Sequence, residues 1–280
     1  MKKLFISLAI LVASIGVSAQ ESESQLFKHL SVGVEMGSTG WGFNASTTMT
    51  KFLQLRAGVN FTGDLKLTTD VDVQAPSGLK TKYAEVMSAL GKEGKLPEKV
   101  KAEGKLGMTD FHLLADLYPS QKSSFHVTVG FHMGNSDIIS VYNTDNEDIL
   151  KNVNMYNTST DPAIVNIRNQ YISENEGRIG VNFGERFIGP DENGKINASI
   201  EVAKFRPYLG IGFGRAVPKT KRISCQFDMG VQFWGSPKVM VNGEKLEKNG
   251  SSSDANEALD IISKISVYPV IKLALNGRIF

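Results

Sequence analysis

The 280-residue sequence predicts an all-β fold: an eight-stranded antiparallel up-and-down transmembrane β-barrel with long extracellular loops, one of which contains a short helix. Three observations lead to this prediction. Eight segments alternate apolar and polar residues, as strands with one face in each environment do. The apolar face of these segments carries no charge. The connections between them alternate between short and long after the first hairpin, as in transmembrane barrels.

The N-terminal residues have the layout of a secretory signal peptide. Two lysines precede an apolar run, and the small residues Ser18 and Ala19 follow it, which is the order found in exported proteins. The run is too short for a membrane anchor, which needs about 20 apolar residues. We therefore expect cleavage after Ala19, with residues 1–19 as the signal peptide and residues 20–280 as one outer-membrane β-barrel domain.

The first three predicted strands cover residues 30–37, 41–47 and 53–61. The third alternates without exception, with residues such as Leu55 on the apolar face and Arg56 on the polar face. Because side chains alternate across a strand, the polar face of all three should line the narrow lumen of the barrel.

The other five predicted strands cover residues 110–118, 125–133, 205–214, 223–233 and 271–279. In each of them, aliphatic and phenylalanine side chains occupy one face. Glycine, histidine and charged residues share the other face. An even number of strands places both chain ends on the side of the short turns, as in bacterial outer-membrane barrels.

Two prolines fall in or directly before predicted strands: Pro207 lies in the sixth strand, and Pro269 lies just before the regular alternation of the last strand. Proline has no amide donor, so it is disfavoured in a central strand. Both lie near the end with the long connections, and we expect them at the rim of the barrel or beside bulges.

The connections differ in length between the two ends of the barrel. Short turns are predicted at residues 49–51, 119–123 and 216–221. Long connections are predicted at residues 63–106, 135–202 and 236–264. Aromatic residues on the apolar face concentrate near the strand ends, and the middle of that face is aliphatic. This sorting is typical of a bilayer, which favours aromatic side chains at its interfaces.

Two local features are predicted within the long connections. An amphipathic helix of about ten residues is indicated by helical spacing in a run that ends at Gly91, namely Tyr83, Val86, Met87 and Leu90. Lysines follow it, and they favour either packing at the barrel mouth or a contact with an anionic surface. Residues 191–194 resemble a hairpin turn, which would join residues 185–188 to residues 196–202 and project strands five and six above the membrane.

Charged residues of both signs are predicted to point into the lumen: Glu35, Arg56, Asp110, Asp116, Arg206, Asp228 and Lys272. An eight-stranded barrel is only wide enough for its own side chains. Isolated buried charge is costly, so these residues should pair with one another and fill the barrel. The alternative is a proton or ion path, which the expected width disfavours.

The sequence predicts no catalytic residues, cofactor or metal site. His112, His126 and His132 are all predicted to point inward, but His126 and His132 lie six residues apart on one strand, about 20 Å, which is too far for one metal ion. His126 and Thr128 faintly resemble the residues of a lipid A deacylase. Such an enzyme needs its hydroxyl to face the membrane, and both side chains are predicted to face inward.

Charge and cysteine content exclude some other classes. Removing residues 1–19 takes away two of the 31 basic residues, so 29 basic residues face 29 acidic ones. This neutral balance does not favour a nucleic-acid partner. The single cysteine, Cys225, cannot form an intramolecular disulfide, and we expect it to fill an apolar position.

Several segments resemble the outer-membrane β-barrel proteins of Bacteroides-type bacteria, a family with an architecture like that of the OmpA-like barrels. The resemblance is carried by residues 30–35, 38–40, 53–58 and 205–214 and covers nearly all of the chain after the signal peptide. The terminal aromatic, Phe280, is similar to the C-terminal signal of such barrels, although strict alternation places it one residue out of the usual register. The resemblance implies a location and a fold, and no catalytic motif.

These observations predict a non-enzymatic protein of the outer membrane with a closed, charge-filled lumen. The long connections 63–106, 135–202 and 236–264 would present a surface for a ligand or a protein partner, and the barrel itself would contact outer-membrane lipid. Two alternatives are a narrow porin-like channel and a membrane-embedded enzyme that modifies lipid A.

Overall fold

The computed structural model describes residues 29–63, 65–89, 91–183, 186–246 and 254–279. Several positions named above lie outside these ranges: the predicted signal peptide, Leu90, Glu185 and Phe280.

The elements are numbered along the chain. The strands are β1 (Leu30–Gly37), β2 (Gly40–Thr48), β3 (Leu53–Phe61), β4 (Leu65–Gln74), β5 (Lys99–Leu106), β6 (Thr109–Leu117), β7 (Phe125–Gly134), β8 (Asp137–Asn143), β9 (Gly180–Phe183), β10 (Arg186–Ile188), β11 (Asn197–Glu201), β12 (Phe205–Phe213), β13 (Ile223–Phe233), β14 (Lys238–Val241), β15 (Glu244–Lys245) and β16 (Val267–Arg278). The helices are α1 (Ser77–Ala89), α2 (Glu147–Thr158), α3 (Pro162–Gln170) and α4 (Asp254–Lys264). Within the described ranges, none of the helices is long and apolar enough to cross a membrane.

The eight strands predicted from the sequence close into a barrel. Its order is β1-β16-β13-β12-β7-β6-β3-β2, and every neighbouring pair is antiparallel. The pairing of β1 with β16 closes the barrel, from Ser31 opposite Arg278 to Gly37 opposite Lys272. The predicted fold class is confirmed, because all eight alternating segments form strands of one closed sheet.

The barrel has its apolar side chains outside and its polar side chains inside. On β1, Val34 and Met36 are 51% and 64% exposed, whereas Glu35 between them is 4% exposed. On β16, Leu275 is 53% exposed and Asn276 is fully buried. A water-soluble protein has the reverse distribution, with apolar side chains buried and charged side chains mostly exposed.

Glycines on the inner face make room for the large polar side chains. A Cβ at Gly58 would lie 2.6 Å from Cε1 of His112, and one at Gly212 would lie 2.4 Å from Oδ1 of Asp228. Both distances are too short for non-bonded atoms. The lumen of an eight-stranded barrel is narrow, so these positions can hold no side chain while their neighbours keep their places.

Both strand prolines lie near the rim with the long connections, as predicted. The pairing of β12 with β13 begins at Tyr208, one residue after Pro207. The pairing of β16 with β1 begins at Lys272, three residues after Pro269. Each proline therefore lies where one of its two neighbouring strands is not yet paired, and the missing amide donor is tolerated.

The long connections are not irregular loops, because they form a second sheet. Its order is β10-β9-β4-β5-β8-β11-β14-β15. We call the described part of residues 63–106, 135–202 and 236–264 the head. Five neighbouring barrel strands, β3, β6, β7, β12 and β13, continue into β4, β5, β8, β11 and β14, which are neighbours in the same order. Five strands of the barrel thus continue beyond its rim into the sheet of the head.

The head has a conventional apolar core. Side chains from the sheet and from α1, α2 and α3 pack in one cluster, and each is at most 9% exposed: Val73, Leu79, Tyr83, Val86, Met87, Val100, Leu150, Val153, Tyr156, Ile164, Ile179, Val181, Ile188 and Ile196. The predicted helix near Tyr83 is confirmed as α1, which packs this face into the core. Gly91 follows it with a left-handed φ of 66°, a conformation typical of a residue just after a helix.

The predicted hairpin between residues 185–188 and 196–202 is wrong. The turn itself exists, because Asp191 N donates to Lys195 O at 2.8 Å and Gly194 has a φ of 73°. However, β10 pairs with β9, and β11 pairs with β8 and β14. The physical reason is that β11 continues into barrel strand β12. The neighbours of β11 are therefore β8 and β14, the strands that continue from β7 and β13 on either side of β12.

The sequence predicts a helix only in the first long connection, whereas α2, α3 and α4 lie in the other two. The start of α3 carries a sequence signal that could have revealed it. Asp161 caps the helix by accepting a hydrogen bond from Ala163 N at 2.8 Å, and Pro162 occupies the first helical position. Aspartate at the N-cap followed by proline is a common helix start.

Candidate functional site

The barrel interior brings together all seven charged residues predicted to face it. Each is at most 4% exposed: Glu35, Arg56, Asp110, Asp116, Arg206, Asp228 and Lys272. They form three groups of ion pairs, and each group joins residues from strands that are distant in the chain. The closed register of the barrel is therefore what positions them.

Arg56 forms the central group with two carboxylates. Its Nη2 lies 3.1 Å from Oδ1 of Asp116, and its Nη1 lies 2.6 Å from Oδ2 of Asp228. Further donors reach the same carboxylates, because Thr128 Oγ1 donates to Asp116 at 2.8 Å and His126 Nε2 lies 2.8 Å from Asp228 Oδ1. Such extra hydrogen bonds are what a buried ion pair needs to offset the loss of hydration.

The second group joins β1, β2 and β16. Lys272 Nζ lies 2.8 Å from Oε1 of Glu35, and Asn44 Nδ2 donates to Oε2 of Glu35 at 3.0 Å. His112 Nε2 is 3.6 Å from Oε1 of Glu35, which is too long for a hydrogen bond. Both oxygens of this buried carboxylate therefore have a partner.

The third group lies near the head. Arg206 Nη1 is 3.0 Å from Oδ1 of Asp110, and Arg206 Nε donates to Ala203 O at 2.7 Å. Gln232 Nε2 donates to the other oxygen of Asp110 at 3.3 Å, and His132 Nδ1 is 3.4 Å from that oxygen. Arg206 thus ties a lumen carboxylate to the backbone of the segment between β11 and β12.

A short turn folds into the opposite end of the barrel, a placement that was not predicted from the sequence. Ala216 and Val217, between β12 and β13, are at most 1% exposed. Gln54 holds Val217 by two bonds of 3.1 Å, since its amide donates to Val217 O and its carbonyl accepts from Val217 N. Arg215 lies over the ring of Tyr118, 4.1 Å from its centroid. Two apolar residues in an otherwise polar turn were the available sequence signal.

Aromatic side chains cover the end of the lumen beneath the head. Trp234 stacks on Tyr268 with ring centroids 4.5 Å apart and an interplanar angle of 9°. Trp234 Nε1 donates to Gln232 at 3.0 Å, and Met108 and Val202 pack with Trp234 in a buried cluster. Lower in the lumen, Leu114, Tyr208 and Val270 form a small apolar cluster.

The three predicted inward histidines are all fully buried. His112 and His132 are opposite each other on β6 and β7, with ring centroids 5.3 Å apart. Their ring nitrogens have no hydrogen-bond partner in the described structure. Among the described residues, no three histidine, cysteine, aspartate or glutamate side chains are grouped so as to hold a metal ion. Cys225 lies on the exposed outer face of β13.

Comparison with known proteins gives structural matches only, since no family model and no curated protein matches the chain. CarO of Acinetobacter baumannii is 17% identical, with a TM-score of 0.45 over 88% of this chain and 96% of that chain. CarO2 of the same organism is 16% identical, with a TM-score of 0.43 over 91% and 99%. A major outer membrane protein from Thermus thermophilus is 15% identical, with a TM-score of 0.38 over 89% and 98%. These likenesses concern the fold alone.

Proposed function

We propose that the protein is a non-enzymatic outer-membrane protein whose barrel is a closed anchor and whose head is a binding surface outside the cell. The observation that carries this proposal is the reversed distribution of side chains in the barrel, with ion pairs inside and aliphatic and aromatic residues outside. The signal peptide predicted at residues 1–19 would direct export.

The exposed apolar band supports a location in lipid. Outward side chains on all eight barrel strands are uncharged and predominantly apolar, and exposed members include Val34 on β1, Phe43 on β2, Leu209 on β12 and Leu273 on β16. Soluble monomers rarely expose a contiguous apolar patch larger than a few hundred Å². A closed barrel also satisfies its backbone hydrogen bonds internally, which lipid requires.

Three layers of contacts support a closed lumen. The turn with Ala216 and Val217 fills one end, the ion pairs of Arg56 occupy the middle, and Trp234 stacked on Tyr268 covers the other end. An eight-stranded barrel has no spare width beside such side chains. We therefore favour an anchor over a narrow channel.

A lipid A-modifying activity is the less favoured alternative. The two residues that suggested it, His126 and Thr128, are fully buried and hydrogen-bonded to lumen carboxylates of Asp228 and Asp116. A membrane enzyme of this kind needs its reactive group at the lipid face. We assign these residues to the ion-pair network, and the proposed partners are lipid at the barrel and a surface ligand at the head.

Single-channel recording tests the closed lumen. Purified protein is added to planar bilayers, and an equal volume of protein-free detergent buffer is added to control bilayers. The protein should give no steady single-channel current above that of the control. A reproducible conducting state of the wild-type protein would contradict the closed anchor and favour the channel. Lipid A acylation in cells with and without the protein tests the second alternative, and a difference that His126→Ala abolishes would contradict the assignment as a non-enzyme.

A further inference from the structure

One face of the head sheet carries a row of large aliphatic side chains. The cross-strand register places five residues side by side, one on each of five neighbouring strands: Leu65, Leu106, Ile139, Ile200 and Val239. Three of them remain partly open to solvent, with Leu65 63%, Leu106 43% and Ile139 37% exposed. This face of the sheet therefore has an apolar surface that the head core does not cover.

The next row on the same face contains small residues and forms a trough. In register across the sheet it reads Leu67, Gly104, Val141, Ala198 and Val241. A Cβ placed on Gly104 would meet only the backbone oxygen of Leu67, at an ordinary 3.7 Å. Gly104 thus differs from the lumen glycines, because open space rather than a neighbouring side chain lies above it.

A cavity of about 300 Å³ occupies this trough. It spans β4, β5, β8 and β11, which is about 14 Å at the usual spacing between strands. No charged residue and no histidine lines it. The one buried amide in its wall, Asn143, is already satisfied, since it donates to Gly194 O at 3.1 Å and accepts from Ile196 N at 2.7 Å. The cavity therefore offers mainly apolar contact along its length, and its other polar lining side chains, Thr69 and Asn182, are exposed to solvent.

We infer that this cavity binds the alkyl chain of a free fatty acid. Its volume is at the lower end for small-molecule sites, and its length across four strands fits an unbranched chain. A charged ligand would lose hydration against the apolar lining and would find no charged side chain there to pair with. Leu67, which is 81% exposed, marks the open end, where a carboxylate would stay in water. This inference rests on the proposed role of the head as a binding surface and names its ligand class.

The test uses the full chain in lipid nanodiscs, because detergent alkyl chains would compete for the site. Binding of radiolabelled dodecanoate is measured by titration, with empty nanodiscs as the blank for partition into lipid. We expect a saturable signal of one probe per chain that unlabelled dodecanoate displaces. Gly104→Leu should weaken binding about tenfold or more, because its side chain takes the place of several methylene groups.

Two further variants separate loss of the site from loss of the fold. Thr68 lies on the opposite face of the sheet beside Glu103, so Thr68→Leu adds the same side chain and should bind as the wild type. Leu67→Asp changes an exposed residue and should also weaken binding, since it places a charge at the open end.

Wild-type affinity in both Gly104→Leu and Leu67→Asp would overturn the inference, as would a signal no larger than in empty nanodiscs. A cross-linked dimer that buries Leu67 would also overturn it, in favour of a second copy as the occupant. Protein that inserts normally but fails these titrations contradicts only the fatty-acid site, whereas protein that fails to insert contradicts the membrane anchor.

Discussion

Five strands of the barrel continue into the head, yet the barrel buries polar side chains and the head buries apolar ones. In the barrel, Arg56 is fully buried and Leu275 is 53% exposed. In the head, Leu150 is fully buried in an apolar core. Alternation along a strand only separates two faces. The surrounding solvent decides which face is inside. For the proposed location of the barrel in lipid, the reversal between the two regions would place the boundary between lipid and water near the ends of β3, β6, β7, β12 and β13.

The largest effect should follow from breaking the central ion pairs of the barrel. Arg56→Met leaves Asp116 and Asp228 buried without their cation, which should destabilise the barrel by about 3–5 kcal/mol. Urea unfolding followed by the heat-modifiable mobility of the barrel on gels measures this. The triple variant Arg56→Met/Asp116→Asn/Asp228→Asn removes all three charges and should recover most of the loss. Equal instability of the single and triple variants would contradict an electrostatic role.

The head should be destabilised when a buried apolar side chain is removed. Leu150→Ala removes a fully buried apolar side chain and should destabilise the head by about 2–5 kcal/mol. Protease digestion of intact cells should then cut the head readily, while the barrel keeps its heat-modifiable mobility. Simultaneous loss of the barrel would indicate that the two regions unfold as one unit and are not separately stabilised.

A charge on the outer face of the barrel should cost slightly less. Leu55 lies on β3 among apolar outward residues, and Leu55→Arg should impair insertion by about 2–4 kcal/mol if that face meets lipid. Thr68→Arg on the exposed face of the head sheet is the matched control and should be neutral. Normal assembly of Leu55→Arg would mean that the faces are assigned the wrong way round.

The smallest effect concerns a hydroxyl in the head core. Burial raises the pKa of Tyr83 to about 12, because the ionised form is disfavoured in the core. A folded-state pKa above the unfolded value of about 10 means that this contribution to stability is present below pH 10 and is lost as the pH rises towards 12. The hydroxyl also has no hydrogen-bond partner in the described structure. Tyr83→Phe should therefore leave the stability of the head at pH 7 unchanged or slightly higher. It should also reduce the loss of stability above pH 10, as measured by thermal unfolding at several pH values. Lower stability of Tyr83→Phe at pH 7 would contradict this account.

The barrel could be predicted from the sequence because every one of its strands shows a two-residue period, with isolated exceptions such as Leu114 on the polar face of β6. The inward direction of Arg56 and Asp228 follows from that alternation alone. Their pairing could not be predicted, because it depends on which strands meet across the closed barrel. The apolar pair Ala216 and Val217 was likewise visible in the sequence, but only the structure places the turn inside the lumen.

The head was harder to predict because most of its strands have five residues or fewer and its core combines several segments. β4 alternates through Leu65, Leu67, Val71 and Val73, and this pattern could have revealed a strand. β8 and β11 carry no such pattern, and their pairing is inherited from the barrel strands that they continue. The wrong hairpin at residues 191–194 has the same origin, since local turn chemistry predicts a turn and not the partner of the strand that follows it.

The two tryptophans of the chain test the central claim most directly. Trp41 is 54% exposed on the outer face of β2, whereas Trp234 is 7% exposed beneath the head. The variants Trp41→Phe and Trp234→Phe each leave one tryptophan, whose fluorescence is measured in bilayers with and without brominated lipid. We predict strong quenching when only Trp41 remains and weak quenching when only Trp234 remains. Equal quenching of both, or protection of Trp41, would contradict a barrel that turns its apolar face to lipid.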